Sequence, residues 1–204
     1  MKKTRLRDHI YIPAKSAVHQ IGISLAQYNI NPTHLTLFGL LINILGCLLF
    51  AHGYFTGGAL VILFAGLFDM LDGALARGAN KVSKFGAFID SVVDRYSDML
   101  IFGSLAIFFA RAADVNHVLL VLVVITGAFL TSYTKVRAES LIKRCDVGMV
   151  GRAERIIIIV IGGLFDVIVP ALWILAFITH LTALDRIYYT WKQTEGGRRE
   201  QDKN

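Results

Sequence analysis

Five aspartates, Asp69, Asp72, Asp90, Asp94 and Asp98, fall within or beside two apolar runs in the stretch FDMLDGALARGANKVSKFGAFIDSVVDRYSDML, residues 68–100. A charge at the centre of a bilayer costs at least ~2.5–3.5 kcal/mol, so acids in such runs normally face a cavity, a partner or an ion. Asp69 and Asp72 are spaced i, i+3, and Asp90 and Asp94 i, i+4, so on helices each pair projects from one face. Two adjacent antiparallel helices would bring four carboxylates into one volume. There they repel unless protonated or neutralised by cations. An all-oxygen set without Cys or His favours Mg²⁺, Mn²⁺ or Ca²⁺ over Zn²⁺, and a two-metal site is the simplest way to keep all four ionised. Gly73 and Gly86 leave room for a bulky ligand to approach, whereas Gly66 and Gly78 fit helix packing equally well. Arg77, four residues beyond Gly73, suits an anion such as a pyrophosphate. Metals with an arginine at a membrane interface point to phosphoryl-group chemistry on a lipid-linked substrate.

The elements that must position these groups are membrane helices. Of 204 residues, 55% are hydrophobic and 18% charged, and mean hydropathy is +0.57, which excludes an ordinary soluble domain and intrinsic disorder. Six apolar segments of spanning or near-spanning length are expected at about 35–52, 58–76, 86–110, 117–136, 153–169 and 170–191, the last two parted only around Asp166 and Pro170. The net charge of +6 is distributed unevenly. Basic residues crowd the N-terminal stretch, the connection with Arg77, Lys81 and Lys84, the connection from Lys135 to Arg155, and the C-terminal tail. The alternate connections are nearly neutral. This alternation predicts an even number of spans with both termini cytoplasmic, in a multi-pass protein of the cell membrane.

Residues 1–31 read as a cytoplasmic lead-in, either an amphipathic helix lying along the interface or a plain charged segment. The start lacks the apolar core and cleavage site of a signal peptide. Residues 32–192 form the membrane domain, and 193–204 a disordered cytoplasmic tail. Cys47 lies in an apolar run and Cys145 in a charged loop, which predicts two free thiols. Tyr188, Tyr189 and Trp191 read as an interfacial aromatic anchor. His117 and His180 read as core or interface packing.

The stretch Asp69-x2-Asp72-Gly73-x2-Ala76-Arg77-x8-Gly86-x3-Asp90-x3-Asp94 matches every fixed position and spacing of the signature of the CDP-alcohol phosphatidyltransferase family. The resemblance extends to PTHLT (32–36), SYTKVRAESL (132–141) and GRAERIII (151–158), and so touches most of the chain. It implies an all-α enzyme of six transmembrane helices, usually a homodimer, in which a polyol hydroxyl displaces CMP from a CDP-linked lipid.

By the same resemblance, Asp69, Asp72 and Asp90 ligate two Mg²⁺ ions, with Mn²⁺ as the other option. Asp94 completes the second metal site and accepts the proton of the attacking hydroxyl. Thr33, His34, Leu35, Thr36, Gly73, Arg77 and Ser83 are the implied contacts of CDP-diacylglycerol, although Ser83 stands where the signature fixes nothing. SYTKVRAESL and GRAERIII are similar to segments of the phosphatidylinositol-phosphate synthases, which implies that Lys135, Arg155 and Arg186 hold the phosphate of inositol 1-phosphate. Several cations can share one phosphate, but Lys135, Arg137, Arg152 and Arg155 also satisfy the positive-inside pattern. The alternative acceptor is glycerol 3-phosphate. Asp98 lies outside the signature and either supports the site from behind or pairs with a nearby base. Arg95 either balances the carboxylates or faces lipid headgroups. The partners expected are CDP-diacylglycerol, a phosphorylated polyol, the bilayer and a second copy of the chain, with no nucleic acid. A cation-coupled transporter is the competing class, disfavoured by the absence of an internal inverted repeat.

Overall fold

The computed structural model describes residues 32–78 and 83–201. The interfacial helix expected within residues 1–31 lies outside them. Six α-helices and no strand occur among the described residues: α1 (Pro32–Ala51), α2 (Phe55–Gly78), α3 (Lys84–Arg111), α4 (Val115–Glu139), α5 (Arg152–Leu164) and α6 (Ile168–Gln201). Each coincides with one of the expected apolar segments. Stretches of α1, α4 and α6, His34–Ala51, Val115–Glu139 and Ile168–Glu195, are long and apolar enough to cross a membrane, and α2 contributes a shorter apolar stretch, Phe55–Asp69.

Two expectations differ from the structure. The fifth apolar segment, read as 153–169, yields only a 13-residue helix, about 20 Å at 1.5 Å per residue. The helix stops because Gly162 and Gly163 lead into a turn at Asp166, whose φ is 54°. The segment from Thr194, read as a disordered tail, continues α6 in helical form to Gln201.

Tight crossings set the register. α1 and α2 form an antiparallel hairpin: a Cβ at Gly46 would lie 2.7 Å from Ile62 Cγ1 and 3.1 Å from Gly58 O, and one at Gly39 would touch Phe68 Cβ at 3.4 Å. The hairpin turn places Gly53 at φ +82°, and Arg111 at the end of α3 donates to Ala51 O at 3.1 Å. α5 runs against α2, where a Cβ at Gly163 would sit 2.8 Å from Ala59 Cβ and 3.0 Å from Phe55 O. α4 and α6 cross at Gly127, where a Cβ would run into Thr179 Oγ1. The core between these crossings is built from Phe50, Ile62, Phe102, Leu105, Val124, Ile159 and Leu172.

Helix ends are capped by local side chains. Ser83 Oγ accepts from Gly86 N at 2.9 Å at the start of α3. Asp114 caps α4, accepting from His117 N at 3.2 Å and pairing with His117 Nδ1 at 2.5 Å. These bonds from His117 hold the Asp114 carboxyl below the usual carboxylate range. At the start of α5, Glu154 accepts from Gly151 N at 2.9 Å, satisfying one of the amides left unpaired at a helix N-terminus.

Candidate active site

Asp69 on α2 and Asp90 and Asp94 on α3 converge: each offers a carboxylate oxygen, and the three oxygens lie within 4.8 Å of one another. The spacing puts one cation within reach of all three, and the all-oxygen donor set suits a hard ion such as Mg²⁺ or Mn²⁺. These three carboxylates therefore fit one ion of the metal centre that the signature implies. Asp72, Gly73 and Arg77 follow on the last turns of α2. The antiparallel register of α1 against α2, read from Gly39 at Phe68, brings Thr33, His34, Leu35 and Thr36 at the start of α1 alongside that same end of α2. His34 is exposed and Thr36 buried. Ser83 is exposed and spends its hydroxyl as the cap of α3.

The basic residues are distributed less simply than the sequence suggests. Arg152, the first residue of α5, places Nη1 2.5 Å from Asp69 Oδ2 and 2.6 Å from Asp94 Oδ1. Its Nε lies 3.8 Å from Asp98 Oδ1. The packing of α5 against α2 explains this meeting. Gly163 rests on Ala59, and a step of about 15 Å, three helical turns, leads back along α5 to Arg152 and forward along α2 to Asp69. Arg155, one turn further into α5, is 1% exposed. It donates from Nη2 to Asp98 Oδ2 at 2.5 Å and from Nη1 to Thr131 Oγ1 at 2.8 Å. Arg186 on α6 donates to Thr131 O and, at 3.1 Å, to Val147 O in the α4–α5 connection.

Of the expected acceptor residues, Arg155 and Arg186 thus meet on Thr131, and Lys135 follows Thr131 by one turn of α4 and is exposed. The α4–α5 connection is itself pinned to α6, since Met149 N and Val150 N both donate to Thr182 Oγ1 at 3.2 Å. Arg95 turns back on its own helix, donating to Ser91 O at 2.6 Å and Ser91 Oγ at 2.9 Å. Of the two readings of Asp98, the structure shows the pairing with a base: one oxygen is held by Arg155 and the other lies 3.8 Å from Arg152 Nε. Sequence reasoning missed Arg152 as a direct partner of Asp69 and Asp94, and Thr131 and Thr182 altogether. The i+4 step from Asp94 to Asp98 was the available signal for the first of these.

Carboxylates gathered for a hard cation beside clustered arginines, in a helical bundle with segments long and apolar enough to cross a membrane, fit a membrane-embedded protein that uses a divalent metal. The model of the family described as CDP-alcohol phosphatidyltransferase matches residues 29–184, and the chain belongs to that family. Among relatives, an archaetidylinositol phosphate synthase of Pyrococcus horikoshii is 37% identical over 184 residues, covering 90% of this chain and 95% of its own. A phosphatidylinositol phosphate synthase of Mycobacterium marinum is 35% identical over 178 residues, covering 82% and 76%. The crystal structure of the Mycobacterium tuberculosis phosphatidylinositol phosphate synthase with CDP-DAG bound superimposes with a TM-score of 0.78 at 32% identity, over 85% of this chain and 93% of that one. The same enzyme in complex with manganese and citrate also gives 0.78, at 33% identity, over 85% and 88%. The chain is a multi-pass membrane enzyme that transfers a phosphatidyl group.

Proposed function

We propose that this protein transfers the phosphatidyl group of CDP-diacylglycerol to inositol 1-phosphate, releasing CMP and forming phosphatidylinositol phosphate. The observation that carries this reading is the convergence of Asp69, Asp90 and Asp94 within one cation's reach, with Arg155 and Arg186 gathered on Thr131 one turn from Lys135. The relatives' names support the acceptor, since both groups join an inositol phosphate to a lipid.

In this reading Asp69, Asp72, Asp90 and Asp94 hold two Mg²⁺ or Mn²⁺ ions, which when bound neutralise charge on the pyrophosphate and on departing CMP. Thr33, His34, Leu35, Thr36, Gly73, Arg77 and Ser83 bind the CDP-lipid. Lys135, Arg155 and Arg186 hold the acceptor phosphate and thereby orient its hydroxyl. That oxygen bonds to the phosphorus bearing the diacylglycerol, the bond from that phosphorus to the CMP oxygen breaks, and the hydroxyl proton passes to Asp94. The alternation of basic and neutral connections supports six crossings of the cell membrane by residues 32–192, with both termini and the site on the cytoplasmic side.

The test is CMP release by purified protein in detergent with Mg²⁺. CDP-diacylglycerol and its dialkyl archaeal counterpart serve as donors, and inositol 1-phosphate, glycerol 3-phosphate, inositol and serine as acceptors. Selective turnover with CDP-diacylglycerol and inositol 1-phosphate is expected, and Asp94→Asn should lower kcat by about 10²–10⁴-fold. Turnover only with glycerol 3-phosphate would overturn the acceptor, and preference for the dialkyl lipid would overturn the donor.

A further inference from the structure

The carboxylate cluster is not electrically isolated. Arg152 touches two of the proposed metal ligands, Asp69 and Asp94, and its Nε faces Asp98 Oδ1 at 3.8 Å. Asp98 is 5% exposed, and its other oxygen is held at 2.5 Å by the buried Arg155. Neither Asp98 Oδ1 nor Arg152 Nε has a hydrogen-bond partner, so what passes between them is charge attraction across a short gap. In a buried setting that attraction is far stronger than in water. One guanidinium is therefore shared between carboxylates proposed to bind metal and a carboxylate that the family signature does not include.

We propose that Asp98 is a positioning residue for the metal centre: anchored by Arg155, it takes up part of the charge of Arg152 and so sets how strongly Asp69 and Asp94 hold a divalent cation. The inference rests on the reading of Asp69, Asp90 and Asp94 as metal ligands. Arg152 competes with a metal for the same carboxylates, because an oxygen lone pair engaged by a guanidinium binds a cation less well. Asp98 limits that competition. Loss of its charge leaves Arg152 wholly to Asp69 and Asp94, and metal affinity falls. Loss of Arg152 frees the carboxylates, and metal affinity rises.

The experiment is Mn²⁺ binding by the full chain in detergent, with free Mn²⁺ read by electron paramagnetic resonance and no lipid or acceptor present. Arg152 is partly exposed, at 21%, so Arg152→Gln should fold, and it is expected to bind Mn²⁺ several-fold tighter than wild type. Asp98→Asn is expected to weaken binding by about tenfold in the wild-type background and by less than about threefold in Arg152→Gln, which is the signature of coupled residues. Asp98→Glu, which keeps the charge, should restore most of the affinity. A merely structural Asp98 would weaken binding equally in both backgrounds, and that result would overturn the proposal. Unchanged or weaker binding in Arg152→Gln would overturn it even if Asp98→Asn failed to fold. Absence of saturable Mn²⁺ binding in wild type, or its persistence in Asp69→Asn, would overturn the metal-centre reading beneath it, whereas binding lost in Asp69→Asn but indifferent to residues 98 and 152 would overturn this inference alone.

Discussion

Arg155 shows how burial changes the meaning of a basic residue. On the sequence it is one of several positive charges at a cytoplasmic helix end, but in the fold it is 1% exposed and spends two nitrogens on Asp98 and Thr131. A buried ion pair is weak evidence for net stability, because desolvation offsets much of the attraction, but removing one partner strands the other. Arg155→Met is accordingly expected to cost about 3–5 kcal/mol, read as a fall in thermal unfolding temperature in detergent. Adding Asp98→Asn to the same chain should recover part of that loss, because no uncompensated buried carboxylate then remains. Further loss in the double variant would show that the pair is not the source of the effect. The aspartates themselves were legible because their cost in an apolar run demands a reason. The arginine partners were not, since the positive-inside pattern predicts basic residues at those places whether or not they touch anything.

Small residues where helices cross decide which ends of the helices meet. Gly163 lets α5 lie against Ala59 and the Phe55 carbonyl of α2, and that contact delivers Arg152 to Asp69 three turns away. Gly163→Leu should push the two helices apart, costing about 1–3 kcal/mol of stability as overpacking does, and should lower CMP release as well by moving Arg152. Gly66, on the same α2 helix but with nothing within 4 Å of an added Cβ, provides the control. Gly66→Ala should leave both the unfolding temperature and the activity near wild type. A Gly163 variant indistinguishable from that control would show that α5 is positioned by something other than this crossing. The hydropathy pattern announced six helices, but it overstated α5, because an apolar run does not reveal a glycine pair followed by a left-handed turn at Asp166.

At the scale of the molecule, the bundle keeps large apolar side chains on its outside. Leu41, Leu45, Phe64, Ile107, Leu122, Trp173 and Phe177 are all exposed, as expected where the solvent is lipid rather than water. The proposed orientation has a direct test, because both native cysteines, Cys47 and Cys145, are free and buried and should react little with a membrane-impermeant maleimide. Arg144→Cys, in the basic α4–α5 connection, is expected to label only from the cytoplasmic side. Tyr54→Cys, in the neutral α1–α2 turn, should label only from the opposite side. Labelling of both from one side would overturn the alternating topology.

The membrane class, the six helical segments and the family can all be read from the amino-acid order. Each depends on composition, on short-range period or on a local signature, none of which needs to know what lies across the bundle. The convergence of Asp69 with Asp90 and Asp94 was legible for the same reason: two spaced pairs on consecutive helices can meet with little further information. It took the packed bundle to show that Arg152 sits on Asp69 and Asp94, that Asp98 holds Arg155, and that Arg186 and Thr182 tie the α4–α5 connection to α6. Those contacts join residues far apart in the chain, and they depend on how closely two helices approach at a glycine, a quantity that hydropathy does not encode.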